Sequence, residues 1–109
     1  MPLLFHDTVE VHRAPLAPTA YTNHRDWQQA VTVWSGRARV QPDRAFEARS
    51  PARETAQERL LIYLPSEADV DSADRITWRG QAYEVDGEPA RWSQGTLRHI
   101  RIRAWRVVR

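Results

Sequence analysis

The densest group of residues able to hold a cation is the run Glu67, Asp69, Asp71 and Asp74. A calcium loop of the helix-loop-helix kind would add a central glycine and a bidentate glutamate about twelve positions from its start. Neither is present, so the run reads as a solvated acidic turn. The histidines His6, His12, His24 and His99 have no metal-ligand spacing and read as surface or loop residues. Ser35 precedes Gly36, but "VWSGR" lacks the first glycine of a nucleophile elbow. Four glycines are too few and too scattered for a phosphate-cradling loop. The absence of cysteine removes disulfides, thiolate nucleophiles, zinc-cysteine sites and iron-sulfur clusters together. The expectation is a protein that is not an enzyme and has no cofactor and no metal site.

Arginine and tryptophan carry the remaining chemistry. All sixteen basic residues are arginine, whose planar fork grips carboxylates and phosphates in pairs of hydrogen bonds. Their placement is uneven. Residues 1 to 88 hold ten arginines and fourteen acids, a balance of −4, whereas residues 89 to 109 hold six arginines and no acid, a balance of +6. An acidic patch at Glu67, Asp69, Asp71 and Asp74 and a basic C-terminal strand with Arg98, Arg101, Arg103 and Arg106 suit contacts between copies, with a partner ring, or with DNA. Of the five tryptophans, one or two are expected in the core; for each of the others, packing at the core or rim and a place at subunit contacts, where tryptophan and arginine are enriched, are equally open. Only Trp105, between Arg103 and Arg106, lies among arginines as a base-stacking residue would.

The elements that position these groups are short strands. In "DTVEVHR", Val9 and Val11 share a face; in "AVTVWSGRARVQP" alternation continues on both sides of Gly36, where a bulge or bend is expected. "RLLIYLP" is an apolar run of strand length. In "DRITWRG" and "QAYEV", Ile76 and Trp78, then Tyr83 and Val85, share faces; Arg79-Gly80 and Asp86-Gly87 read as turns, and residues 88 to 96 as loop. In "LRHIRIRAWRVVR", Ile100, Ile102 and Ala104 point inward. The phase changes at Trp105, which implies either a bulge or packing on both sides. Residues 41 to 58 lack an apolar stripe, contain Pro42 and Pro51, and read as a long charged mobile loop. The chain is thus expected to be one domain over 1–109, mainly β, a small β-barrel of about six short strands. With no long apolar run and no signal-like start, it reads as soluble, made in the cytoplasm and not membrane-bound.

Taken in order, these residues resemble the head-closure, or stopper, proteins of the head-to-tail connectors of long-tailed bacteriophages. The likeness runs through "DTVEVHRAP", then Tyr21, Asn23 and Asp26-Trp27, then "VWSGRARVQP" with Gly36 and Gln41-Pro42, then Glu47 and "RLLIYLP". It continues through "DVDSADRITWRGQAYEVDGEPARW" to the strand after Leu97 and His99. Its most specific part is the ordered run Asp69, Asp74, Arg75, Ile76, Gly80, Tyr83, Val85, Gly87, Pro89. Thr22 departs from the pattern, since many relatives have glycine directly after the loop tyrosine.

The resemblance implies a homo-oligomeric ring in the virion neck, assembled in the bacterial host. It would bind below the portal and its adaptor ring, close the channel over packaged DNA, and offer a surface to a tail terminator or tail-completion protein. In that family a long loop projects toward the channel. By position it matches 41 to 58 here, which places Arg44, Glu47, Arg49, Arg53 and Glu54 on it. The alternatives are a tail terminator or tail-completion protein, or a nucleic-acid-binding barrel of the oligonucleotide-binding type.

Overall fold

The computed structural model describes residues 5–16, 25–44, 57–93 and 98–108. Six strands form: β1 (Asp7–Arg13), β2 (Val31–Pro42), β3 (Gln57–Pro65), β4 (Arg75–Trp78), β5 (Gln81–Trp92) and β6 (His99–Val107). They close into a barrel in the order β1-β2-β3-β6-β5-β4, and every neighbouring pair is antiparallel. Closure removes the free edges that an open sheet of this size would present over much of its length.

Alternation decides what lies inside. Val9 and Val11, Ala38, Leu60, Ile62 and Leu64, Ile76, Tyr83 and Val85, and Ile100, Ile102 and Ala104 are all buried. Ala68 and Val70 join them from the β3–β4 connection, and Trp34, Trp78, Val33 and Val40 pack against the cluster from its margins. No tryptophan is fully buried: Trp34 and Trp78 pack against the core from its margins, and the core itself is filled by aliphatic residues and Tyr83. This corrects the expectation that one or two indoles would fill the interior, because a barrel of six strands has a narrow lumen. Val31 is 60% exposed at the start of β2 and takes no part in the core.

Three irregularities shape the barrel. The β1–β2 register steps from Val11↔Trp34 to His12↔Thr32, so the bulge falls at Val33 and not at Gly36. Gly36 answers a different need: a Cβ there would lie 2.7 Å from Cζ2 of Trp34, whose ring covers the glycine. β5 does not end at Asp86-Gly87. Asp86 pairs with Arg103 and Ala90 with Arg101, so Gly87, Glu88 and Pro89 form a bulge opposite Ile102, with Gly87 at φ +78°. Pro89, which has no N–H to give, sits where the ladder is interrupted. The expected turn at 86–87 and the loop from 88 are therefore strand, with loop chemistry spent on the bulge. The third irregularity is the β4–β5 turn, where Arg79 and Gly80 both have positive φ, as a tight type I′ hairpin demands.

β6 itself is unbroken against β3, from Gln57↔Val107 to Pro65↔His99. The phase change at Trp105 is thus packing on both faces and not a bulge in β6. The charged segment is shorter than 41 to 58, since Gln41 and Pro42 belong to β2 and Gln57 and Glu58 to β3. Asp43 is buried, and its N–H donates to the Arg59 carbonyl at 3.0 Å, which anchors the start of the connection.

Strand directions give the barrel two distinct ends. β1, β3 and β5 run one way and β2, β4 and β6 the other, so the strand ends joined by connections 14–30, 66–74 and 93–98 lie at one end. The strand ends joined by the 43–56 connection and the 79–80 hairpin, with Asp7 and Val107, lie at the opposite end.

Candidate functional site

The end that carries connection 66–74 is organised by one arginine. Arg13, the last residue of β1, donates from Nε to Oδ1 of Asp74 at 3.0 Å and from Nη2 to Oδ2 at 2.9 Å, a bidentate grip. The same guanidinium reaches Asp69 at 2.8 Å and Asp71 at 3.3 Å. Asp74 is only 1% exposed and also accepts the Asp71 N–H at 2.8 Å, so the carboxylate ties the turn to the strand that precedes it by sixty-one residues. Arg91 adds a bond from Nη2 to the Val70 carbonyl. Hydrogen bonds to Asp74, then to Asp69, hold the Arg13 pKa well above the usual guanidinium range, against the pull of desolvation. The acidic patch expected to face outward is therefore partly neutralised from within, although the Asp69 and Asp71 side chains remain 54% and 65% exposed. Among the described residues no group of three or more histidines, cysteines or acids is arranged to hold a metal; the carboxylates converge on a cation already supplied by the chain.

The opposite end has its own polar plug. Arg106 has the same strand phase as Ala104 and Ile102, and its Nε donates to Glu58 Oε1 at 2.7 Å. Its guanidinium lies 5.8 Å from the centroid of buried Tyr83. Burial pushes the Tyr83 phenol above its ordinary value of 10.0; Arg106 opposes the rise and Glu58 reinforces it. Glu58, and secondarily Tyr83, raise the Arg106 pKa in turn. Arg106 thus belongs to the barrel mouth and not to the outer arginine row in which the sequence placed it.

The outer face of β6 carries His99, Arg101, Arg103 and Trp105. Trp105 is half-buried, with the Arg59 guanidinium 6.0 Å from its ring centroid. Arg59 is itself bonded to Asp86. Arg101 lies in the row Arg39–Tyr63–Arg101–Ala90, and His99 in the row Pro65–His99–Trp92. The imidazole stacks on Trp92 with centroids 6.1 Å apart and planes at 20°, and meets Tyr63 at 5.8 Å. Arg37, Arg39, Arg98, Arg101 and Arg103 make no ion pair with a described residue. Arg103 does face a recess of about 330 Å³ that it shares with Arg101, Asp86 and Glu88 at the β5 bulge. A second recess, about 440 Å³, lies over β4, β5 and β6 and is lined by Arg75, Gln81, Glu84, Trp105 and Arg106.

Of the expected site residues, the structure brings Asp69 and Asp71 together on Arg13, puts Arg101, Arg103 and Trp105 on one outer face, leaves Arg98 exposed beside it, and sends Arg106 elsewhere. Arg44 is exposed, two residues past the end of β2. Glu47, Arg49, Arg53 and Glu54 lie outside the described residues. Sequence reasoning missed Arg13 and the Tyr63–His99–Trp92 row. Arg13 had one legible signal: it is the only charge closing β1, placed where an acidic turn must dock. Trp92 had none once β5 was taken to end at Asp86-Gly87.

The class so defined is a closed, six-stranded antiparallel barrel with polar plugs at both ends. No protein-family model and no curated protein matches the chain. Among solved structures, the solution structure of protein SF1141 from Shigella flexneri 2a is similar, with a TM-score of 0.59 at 17% identity over 92% of this chain and 90% of that one. At that identity the likeness is one of fold.

Proposed function

We propose that the protein is a structural component of a phage neck: a head-closure barrel that assembles as a ring, closes the DNA channel and presents a surface for tail attachment. The observation that carries this reading is the polarity of the barrel. The charged 43–56 connection leaves and re-enters at one end, and the Arg13-centred cluster occupies the other. A ring stacked between two different neighbours needs two different ends, and a connection that starts and finishes at one of them can project without disturbing the wall. The full-length likeness of residues such as Asp74, Gly80, Tyr83, Gly87 and Pro89 to the stopper pattern supports the same reading, since each has a structural task here: Asp74 in the Arg13 grip, Gly80 and Gly87 at positive φ, Tyr83 in the core.

On this reading the partners are further copies of the chain, the adaptor and portal complex, a tail terminator or tail-completion protein, and the packaged DNA. The localisation is the virion neck. Arg44, Glu47, Arg49, Arg53 and Glu54 would face the channel. Deleting residues 45 to 56 tests this directly. The deletion variant should fold and enter particles, yet give leaking, DNA-poor heads; full genome retention would refute the channel role.

A further inference from the structure

We propose that the outer face of β2, β3, β6 and β5 is a binding surface for single-stranded nucleic acid. Trp92 supplies the stacking platform and the Arg39–Tyr63–Arg101 row the phosphate track. The inference is independent of the neck reading.

Three observations converge on it. First, the Trp92 indole is 54% exposed, although its other side is spent on the His99 ring. The near-parallel Trp92–His99 stack backed by Tyr63 fixes the indole plane, so a further flat ring can be added to its open face at little ordering cost. Second, Arg39 and Arg101 flank Tyr63 in one cross-strand row, about 10 Å apart across two strand spacings. Neither is paired with a described carboxylate. An arginine with no ion pair among the described residues, unlike Arg59 with Asp86 and Arg75 with Glu84, is available to an external anion. Third, the acids of this face lie on β5: Asp86 and Glu88 line the recess that Arg101 and Arg103 border, which leaves the β2–β3 side, with Arg39 and Tyr63, clear of these two acids.

A duplex would use the arginines but bury its bases away from Trp92, and an acidic peptide would use the charges without the ring. Interleaved cations and an exposed aromatic platform fit a chain that offers phosphates and unpaired bases together.

The test is fluorescence anisotropy of a labelled short oligo-dT with the full chain at low and moderate salt. A duplex of equal length and a poly-glutamate peptide serve as competitors. The expected result is salt-sensitive binding of the single strand with quenching of tryptophan emission. Trp92→Ala should weaken binding about tenfold, the scale of one lost base stack, and Arg101→Glu should weaken it further and flatten the salt dependence. Arg79→Glu, the same charge change at the far end of the barrel, should alter binding by less than about twofold. Circular dichroism verifies that each variant is folded. No binding at low salt overturns the proposal. So does equal loss in Arg79→Glu, which would mean charge alone. Equal competition by duplex or by poly-glutamate with Trp92→Ala unaffected overturns it in favour of those partners.

Discussion

Arg13 is the residue on which one end of the molecule depends. It joins β1 to three aspartates of a distant turn, and one of these, Asp74, is removed from water. Removing one member of a buried pair strands the other charge, at a cost of about 3–5 kcal/mol when both are enclosed. Because the Arg13 side chain is 30% exposed, Arg13→Ala should cost less, about 2–3 kcal/mol. Asp69→Ala, which removes only an exposed partner, should cost under about 1 kcal/mol. Urea denaturation of the two variants measures the difference; equal costs would show that burial of Asp74 is not what makes the grip count. Tyr83 gives a pH signature. Its folded pKa is raised, so at alkaline pH the unfolded chain releases the phenolic proton first. The associated stability is whole below the ordinary value of 10.0 and declines as pH rises from there through the folded pKa. The chain has no lysine, so few other groups titrate in that window. Tyr83→Phe should abolish most of the decline, as followed by denaturation midpoints on either side of pH ~10.

At the scale of elements, the strands were legible because alternation survives in sequence: Val9/Val11, Ile76/Trp78, Tyr83/Val85 and Ile100/Ile102/Ala104 face as their spacing implies. What was not legible was how irregularities are spent. Asp-Gly has the local chemistry of a turn, yet here Asp86 and Ala90, on either side of Gly87–Pro89, both pair with β6. The same φ > 0 that closes a hairpin also makes a bulge, and only the partner strand decides between them. Gly36 was misread for a similar reason, since a glycine beneath an aromatic ring and a glycine at a bulge look alike in one dimension. The difference is measurable. Gly36→Ala should destabilise by about 1–3 kcal/mol through overpacking against Trp34, and the cost should fall by more than half in a Trp34→Ala background. A cost that is unchanged by removing the indole would mean that backbone freedom, not the ring, requires the glycine.

For the whole molecule, the barrel was foreseeable from strand count and turn spacing, while the candidate site was only partly so. Surface charge in sequence does not reveal which arginines are already paired: Arg106 and Arg59 have internal partners, and Arg39 and Arg101 have none among the described residues. Nor does it reveal that connections 43–56 and 66–74 belong to opposite ends, which follows from strand direction alone. That separation is what the proposed neck role rests on. Electron microscopy of particles assembled by a virus without this gene tests it most directly. Filled or leaking tailless heads beside free, complete tails of normal length are the predicted result. Tails of abnormal length, or intact tailed virions, would contradict it.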